Sequence, residues 1–143
     1  MPTPVLYNQF KLAQFNGGAI DFDTDTIKVA ILDTGHTPSQ SDDFWDDVSA
    51  DEVSGTGYTA GGEATANKAV ALDSSTVEFT HDDITWTQNG AGFTDGQYFV
   101  WYKDTGTPGT SRLIAYMDYG SAMSLVAADI LLDVDGATGV LQF

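Results

Sequence analysis

Gln97-Tyr98-Phe99-Val100-Trp101-Tyr102 is apolar on both of its alternating faces. Tyr98, Val100 and Tyr102 share one face, and Phe99 and Trp101 share the other. Successive residues of a strand point to opposite sides of its sheet. A strand apolar on both sides belongs in the middle of a covered sheet, or beneath a partner. Ile27-Lys28-Val29-Ala30-Ile31-Leu32 alternates in the same way and predicts a half-buried or fully buried strand. Arg112 to Tyr119 alternates again, with Leu113, Ala115, Met117 and Tyr119 together.

Weaker strand signals fill the rest of the chain. Glu63 to Leu72 sets Ala69 and Ala71 against Val70 and Leu72. Asp73-Ser74-Ser75 predicts a hairpin turn into Thr76 to Phe79. Ile84 and Trp86 share a face, and Val126 to Val134 and Val140 to Phe143 read as further strands around an Asp135-Gly136 turn. About eight or nine short strands and 15 glycines predict an all-β fold. The expected architecture is a two-sheet antiparallel sandwich of jelly-roll or Ig-like type with a short N-terminal helix. A helix-covered sheet is the second option.

The helix is expected over Val5 to Phe15, with Thr3 as N-cap and Pro4 at the first helical position. Leu6, Phe10 and Ala13 follow at helical spacing, and Asn16-Gly17-Gly18 stops it. It either caps an open end of a sheet or forms a detachable arm. The 143 residues fit one domain, with residues 1–18 as a helix or arm and residues 34–51 as a long acidic loop. Within that loop Phe44, Trp45 and Val48 suit one helical turn that pins it to the body. Gly55, Gly57, Gly61 and Gly62 mark turns or close backbone approach around Tyr58.

The formal net charge is −16, with only Lys11, Lys28, Lys68, Lys103 and Arg112 to oppose it. Nucleic acid is held through many basic contacts, so neither it nor an anionic membrane is an expected partner. No cysteine is present, which excludes disulfides and thiolate chemistry. The longest apolar candidate, Met123 to Leu132, is interrupted by Ser124 and Asp129 and falls short of a membrane span. The N-terminus has no signal-peptide pattern, so synthesis in the cytoplasm is expected.

Residue spacing suggests little chemistry. Asp21, Asp23 and Asp25 alternate, and three hard oxygens on one side suit calcium, although they equally suit a turn and an exposed strand entry. The EF-hand pattern fails at Thr26 and Leu32, and Asp133-Val134-Asp135-Gly136 is a second, weaker candidate. His36 and His81 lie in polar segments and read as surface histidines, without zinc-ligand spacing or a nucleophile elbow. Twenty-one acids always permit a glycosidase-like pair, so that signal has no specificity. The glycine pairs lack the lysine of a phosphate loop. Trp45, Tyr58, Trp86, Tyr98, Trp101 and Tyr102 either line a sugar-binding face or build core and subunit contacts. No catalytic, cofactor-binding or metal residue is assigned.

One resemblance spans most of the chain. Tyr7-Asn8-Gln9-Phe10, the run Gly18 to Leu32 through Asp21-Phe22-Asp23-Thr24-Asp25-Thr26, and Phe44-Trp45-Asp46-Asp47-Val48 occur in order. Ser54-Gly55-Thr56-Gly57-Tyr58-Thr59-Ala60-Gly61-Gly62 and Val100-Trp101-Tyr102-Lys103-Asp104-Thr105-Gly106-Thr107 follow. Together they resemble a family of small acidic proteins of tailed double-stranded-DNA bacteriophages. The resemblance implies a virion structural protein, in first place a decoration or cement protein outside the head. It implies a β-rich homo-oligomer, often a trimer, that binds the major capsid protein where capsomers meet. It carries no catalytic residues and no cofactor. The alternative is a tail or head-fibre component that binds host carbohydrate. Either the Val5 to Phe15 helix or the Thr34 to Asp51 loop is the expected contact, because both are apolar segments in an acidic chain.

Overall fold

The computed structural model describes residues 2–134 and 140–142. In chain order the elements are β1 (Val5–Leu6), α1 (Asn8–Gly17), β2 (Ile27–Asp33), β3 (Glu63–Ala64) and β4 (Ala69–Asp73). They continue with β5 (Thr76–Thr80), β6 (Ile84–Trp86), β7 (Gly96–Lys103), β8 (Leu113–Met123), β9 (Ile130–Leu132) and β10 (Leu141–Gln142). The fold is mostly β, with one short helix and three antiparallel sheets. The largest has the order β1-β8-β7-β2-β3, and the others are β10-β5-β4 and β6-β9.

The doubly apolar stretch is the centre of the large sheet. β7 lies between β8 and β2, with Val29 opposite Trp101 and Ala30 opposite Val100. From Tyr98 through Tyr102 every side chain is buried. The two smaller sheets meet one face of it. Trp86 of β6 stacks near Phe99 at 5.8 Å between centroids, and His81, just after β5, lies beside Trp101 at 6.5 Å. Phe79 of β5 packs on Phe22 at 4.7 Å. One continuous cluster of buried side chains joins all three sheets.

The N-terminal prediction needs correction. Val5 and Leu6 are not helical; they pair with Tyr116 and Ala115 of β8. The helix starts three residues later, and its N-cap is Tyr7, not Thr3. Tyr7 N donates to the Ile114 carbonyl at 3.0 Å, so the edge of the sheet takes up backbone groups that a longer helix would use. The predicted stop is correct: Gly18 caps the helix in the left-handed conformation and donates to Gln14 O. With Tyr7 and Phe10 buried, this segment is woven into the body and is not a detachable arm.

Two other elements are shorter than their patterns. Glu63 to Leu72 splits into β3, on the large sheet, and β4, on the three-stranded sheet. Val126 to Val134 yields strand only at Ile130–Leu132. The Asp135-Gly136 turn lies outside the described residues. The hairpin at Asp73-Ser74-Ser75 is present, with Asp73 opposite Thr76 and Ser74 at a φ of 54°.

The loop after β2 follows its sequence pattern. Trp45–Asp47 and Ser49–Asp51 form single 3-10 turns. Trp45 and Val48 are buried, and the Trp45 ring stacks on Tyr102 at 4.5 Å and 8°. Trp45 N donates to Ser111 O, and Leu113 N donates to Asp43 O. The Arg112 guanidinium stands 4.5 Å over the Phe44 ring. The apolar side chains of this loop therefore face inward.

Candidate interaction surface

The residues singled out for chemistry mostly hold the fold together. Asp21 and Asp25 close a turn, because Asp21 N donates to Asp25 Oδ2 and Asp23 N donates to Asp21 Oδ1. Lys103 Nζ lies 2.8 Å from the same Asp25 oxygen. Burial pushes the Asp25 carboxyl up, but the Lys103 ammonium and the Asp21 N–H outweigh it and hold it below the usual carboxylate range. Among the described residues, no three His, Cys, Asp or Glu side chains gather as a metal-ion site would require.

Both histidines are buried, at 6% exposure each, which overturns the surface reading. His36 Nδ1 meets Asp51 Oδ2 at 2.7 Å and ties together the ends of the long loop. His81 Nδ1 donates to the Asp82 carbonyl at 2.6 Å, and its Nε2 accepts the Trp101 indole N–H at 3.1 Å. That pair of partners requires the neutral ring. Burial lowers the His81 pKa, against the pull of Asp82 and Asp83. An unfolded chain takes up the same proton near pH 6.5, so protons favour unfolding below that pH. Stability should be lost as pH falls from about 6.5 through the folded value, with a slope of up to about 1.4 kcal/mol per pH unit from this group. Urea titrations at neutral and mildly acidic pH check this, with His81→Gln expected to flatten the slope.

Glu52 is the centre of a half-buried hydrogen-bond network. Its Oε1 accepts from Tyr58 OH at 2.8 Å and from Gly61 N at 2.6 Å. Tyr58 OH in turn accepts from Ile31 N at 3.0 Å, and Tyr102 OH donates to Gly61 O at 2.6 Å. Burial raises the Glu52 carboxyl despite these donors. The network fastens the glycine-rich turn to β2 and β7. This is the close approach predicted around Tyr58.

The six candidate sugar-binding aromatics do not form an open face. Trp45, Trp86, Tyr98, Trp101 and Tyr102 are buried, and Tyr58 is half-buried. The exposed apolar surface lies elsewhere. Phe15 of α1 is 91% exposed, Leu72 of β4 72% and Leu12 of α1 58%. Val70 and Val77 are partly open beside them. A groove of about 430 Å³ runs between α1 and the β4–β5 hairpin, lined by Phe10, Phe15, Phe22, Val70 and Val77, with Lys11 and Gln14 at the rim. Cross-strand pairing explains the hairpin side: Val70 faces Phe79 and Leu72 faces Val77, so all four share one side. Phe79 reaches the core, and the other three remain outside it.

Of the two segments proposed as contacts, the helix turns apolar side chains outward and the loop turns them inward. Sequence reading missed the hairpin's contribution. Its signal was present in Val70, Leu72 and Val77, but alternation cannot say whether an apolar face meets a core or solvent.

Comparisons with protein-family models, with curated proteins and with solved structures find no match. No helix among the described residues is long and apolar enough to cross a membrane.

Proposed function

We propose that this chain is a structural protein of a bacteriophage virion, a decoration or cement protein that binds the major capsid protein outside the head. The observation that carries this reading is the apolar platform of Phe15, Val70, Leu72 and Val77 around one groove, with Leu12 exposed on the same helix, on a chain of net charge −16. Such a surface costs free energy in water and gains it at a contact, at roughly 25 cal/mol per Å² covered. The family resemblance supplies the phage setting. The smaller sheets packed on one face of the large sheet also support a two-layer sandwich of jelly-roll or Ig-like type. The carbohydrate-binding alternative has less support, because its aromatic candidates are mostly inside.

The test uses heads of the encoding phage from which the protein has been removed genetically. Purified protein is expected to rebind them. Leu12→Ser with Phe15→Ser should weaken binding by about tenfold or more, since each buried side chain of this kind contributes about 1.5–3 kcal/mol. The melting temperature should stay near that of the parent, because both side chains are exposed. Absence of the protein from purified virions, or equal binding by the double variant, would refute the proposal.

A further inference from the structure

We infer that β4 is a self-pairing edge, through which two copies of this chain join their three-stranded sheets into one antiparallel six-stranded sheet. Among the described residues β4 has a single neighbour, β5, and no strand occupies its other edge. All five of its residues are exposed. Asp73 and Thr76 close the hairpin, so Asp73, Ala71 and Ala69 turn their backbone groups to β5. Val70 and Leu72 turn theirs outward. Edge strands are normally protected by a proline, a bulge or an internal charge. Ala69-Val70-Ala71-Leu72 has neither proline nor charge, and its register is regular.

The occupant is a second copy because the edge complements itself. A strand added antiparallel about a two-fold axis at Ala71 sets Val70 against the partner's Leu72 and Ala71 against the partner's Ala71. The surrounding charge fits as well. Among the described residues no carboxylate lines the groove, and Lys11 stands on its rim. Two chains of −16 repel least where the acids are absent.

A two-fold axis normal to the sheet leaves both hairpin faces on the same side. The pair therefore presents two copies of the apolar platform in one direction. Bivalent presentation raises avidity without new contacts, and this last consequence alone rests on the virion reading. An edge that pairs with itself closes as a dimer, in place of the trimer that the family resemblance implies.

The test is carried out on the purified full chain, without phage, so it is independent of the virion reading. Light scattering over a wide concentration range should give a dimer that strengthens with added salt, as repulsion is screened. Leu72→Lys should weaken it by at least about tenfold, and Ala71→Arg should do the same by setting like charges opposite each other. Both side chains are exposed, so the melting temperature of the dilute monomer should be retained. Hydrogen exchange should find the Val70 and Leu72 amides protected at high concentration and open on dilution. A monomer at all concentrations, a trimer, a dimer that survives both variants, or a dimer with both amides unprotected would overturn the inference.

Discussion

Gly62→Ala is expected to destabilise the protein by about 4 kcal/mol or to prevent folding, a Tm loss on the order of 15 °C. Gly62 has a φ of 74° and packs directly against β2. A Cβ there would overlap the Val29 carbonyl oxygen and lie 2.6 Å from the Ala30 Cα. Those are backbone atoms of a buried central strand, so no side chain can swing aside to make room. Relief requires moving β2, which carries the Val29–Trp101 and Ala30–Val100 pairs. Gly106→Ala is the control. Its φ is also positive, at 81°, but among the described residues nothing lies within 4 Å of the added carbon. Only the left-handed backbone penalty remains, about 1–2 kcal/mol. Thermal unfolding of the two variants separates steric overlap from backbone strain. Equal losses would mean that the approach of Gly62 to β2 is not what requires glycine.

Trp101→Ala should cost about 3–5 kcal/mol, since Trp101 is fully buried at the centre of the large sheet. Trp101→Phe separates volume from hydrogen bonding. It keeps an aromatic ring but leaves His81 Nε2 without its donor in a buried site. An unsatisfied buried acceptor costs about 1–3 kcal/mol. The vacated nitrogen also becomes free to bind a proton. The phenylalanine variant should therefore show a weaker loss of stability toward acid than the parent, because His81 no longer has to remain unprotonated. Urea unfolding at two pH values measures both effects. A Trp101→Phe variant as stable as the parent, with the parent's pH slope, would show that the Trp101–His81 bond contributes nothing.

These two positions were not equally legible in the sequence. Trp101 was expected in a central strand, since alternation with large side chains on both faces has few other stable arrangements. Its bond to His81 was not expected. His81 follows a threonine and precedes two aspartates, and such a polar neighbourhood ordinarily marks the surface. It is buried because β5 ends over β7. Gly62 was expected at a turn or close approach, but not the strand it touches.

The local pattern of side chains was enough to specify strands, the hairpin at Asp73-Ser74-Ser75, the inward turn of Trp45 and the helix stop at Gly18. Each depends on interactions within a few residues, or on which side of one strand is apolar. Long-range pairing decided the rest. Val5 and Leu6 became strand because β8 offered an edge, and Glu63 to Leu72 was divided because its two ends pair with different sheets. Val70, Leu72 and Val77 resemble core residues by composition. They are exposed because Phe22, packed against Phe10 of α1, covers only the Phe79 end of that hairpin face. Whether an apolar side chain builds a core or a contact surface depends on what lies opposite it, and residues distant in the chain supply that neighbour.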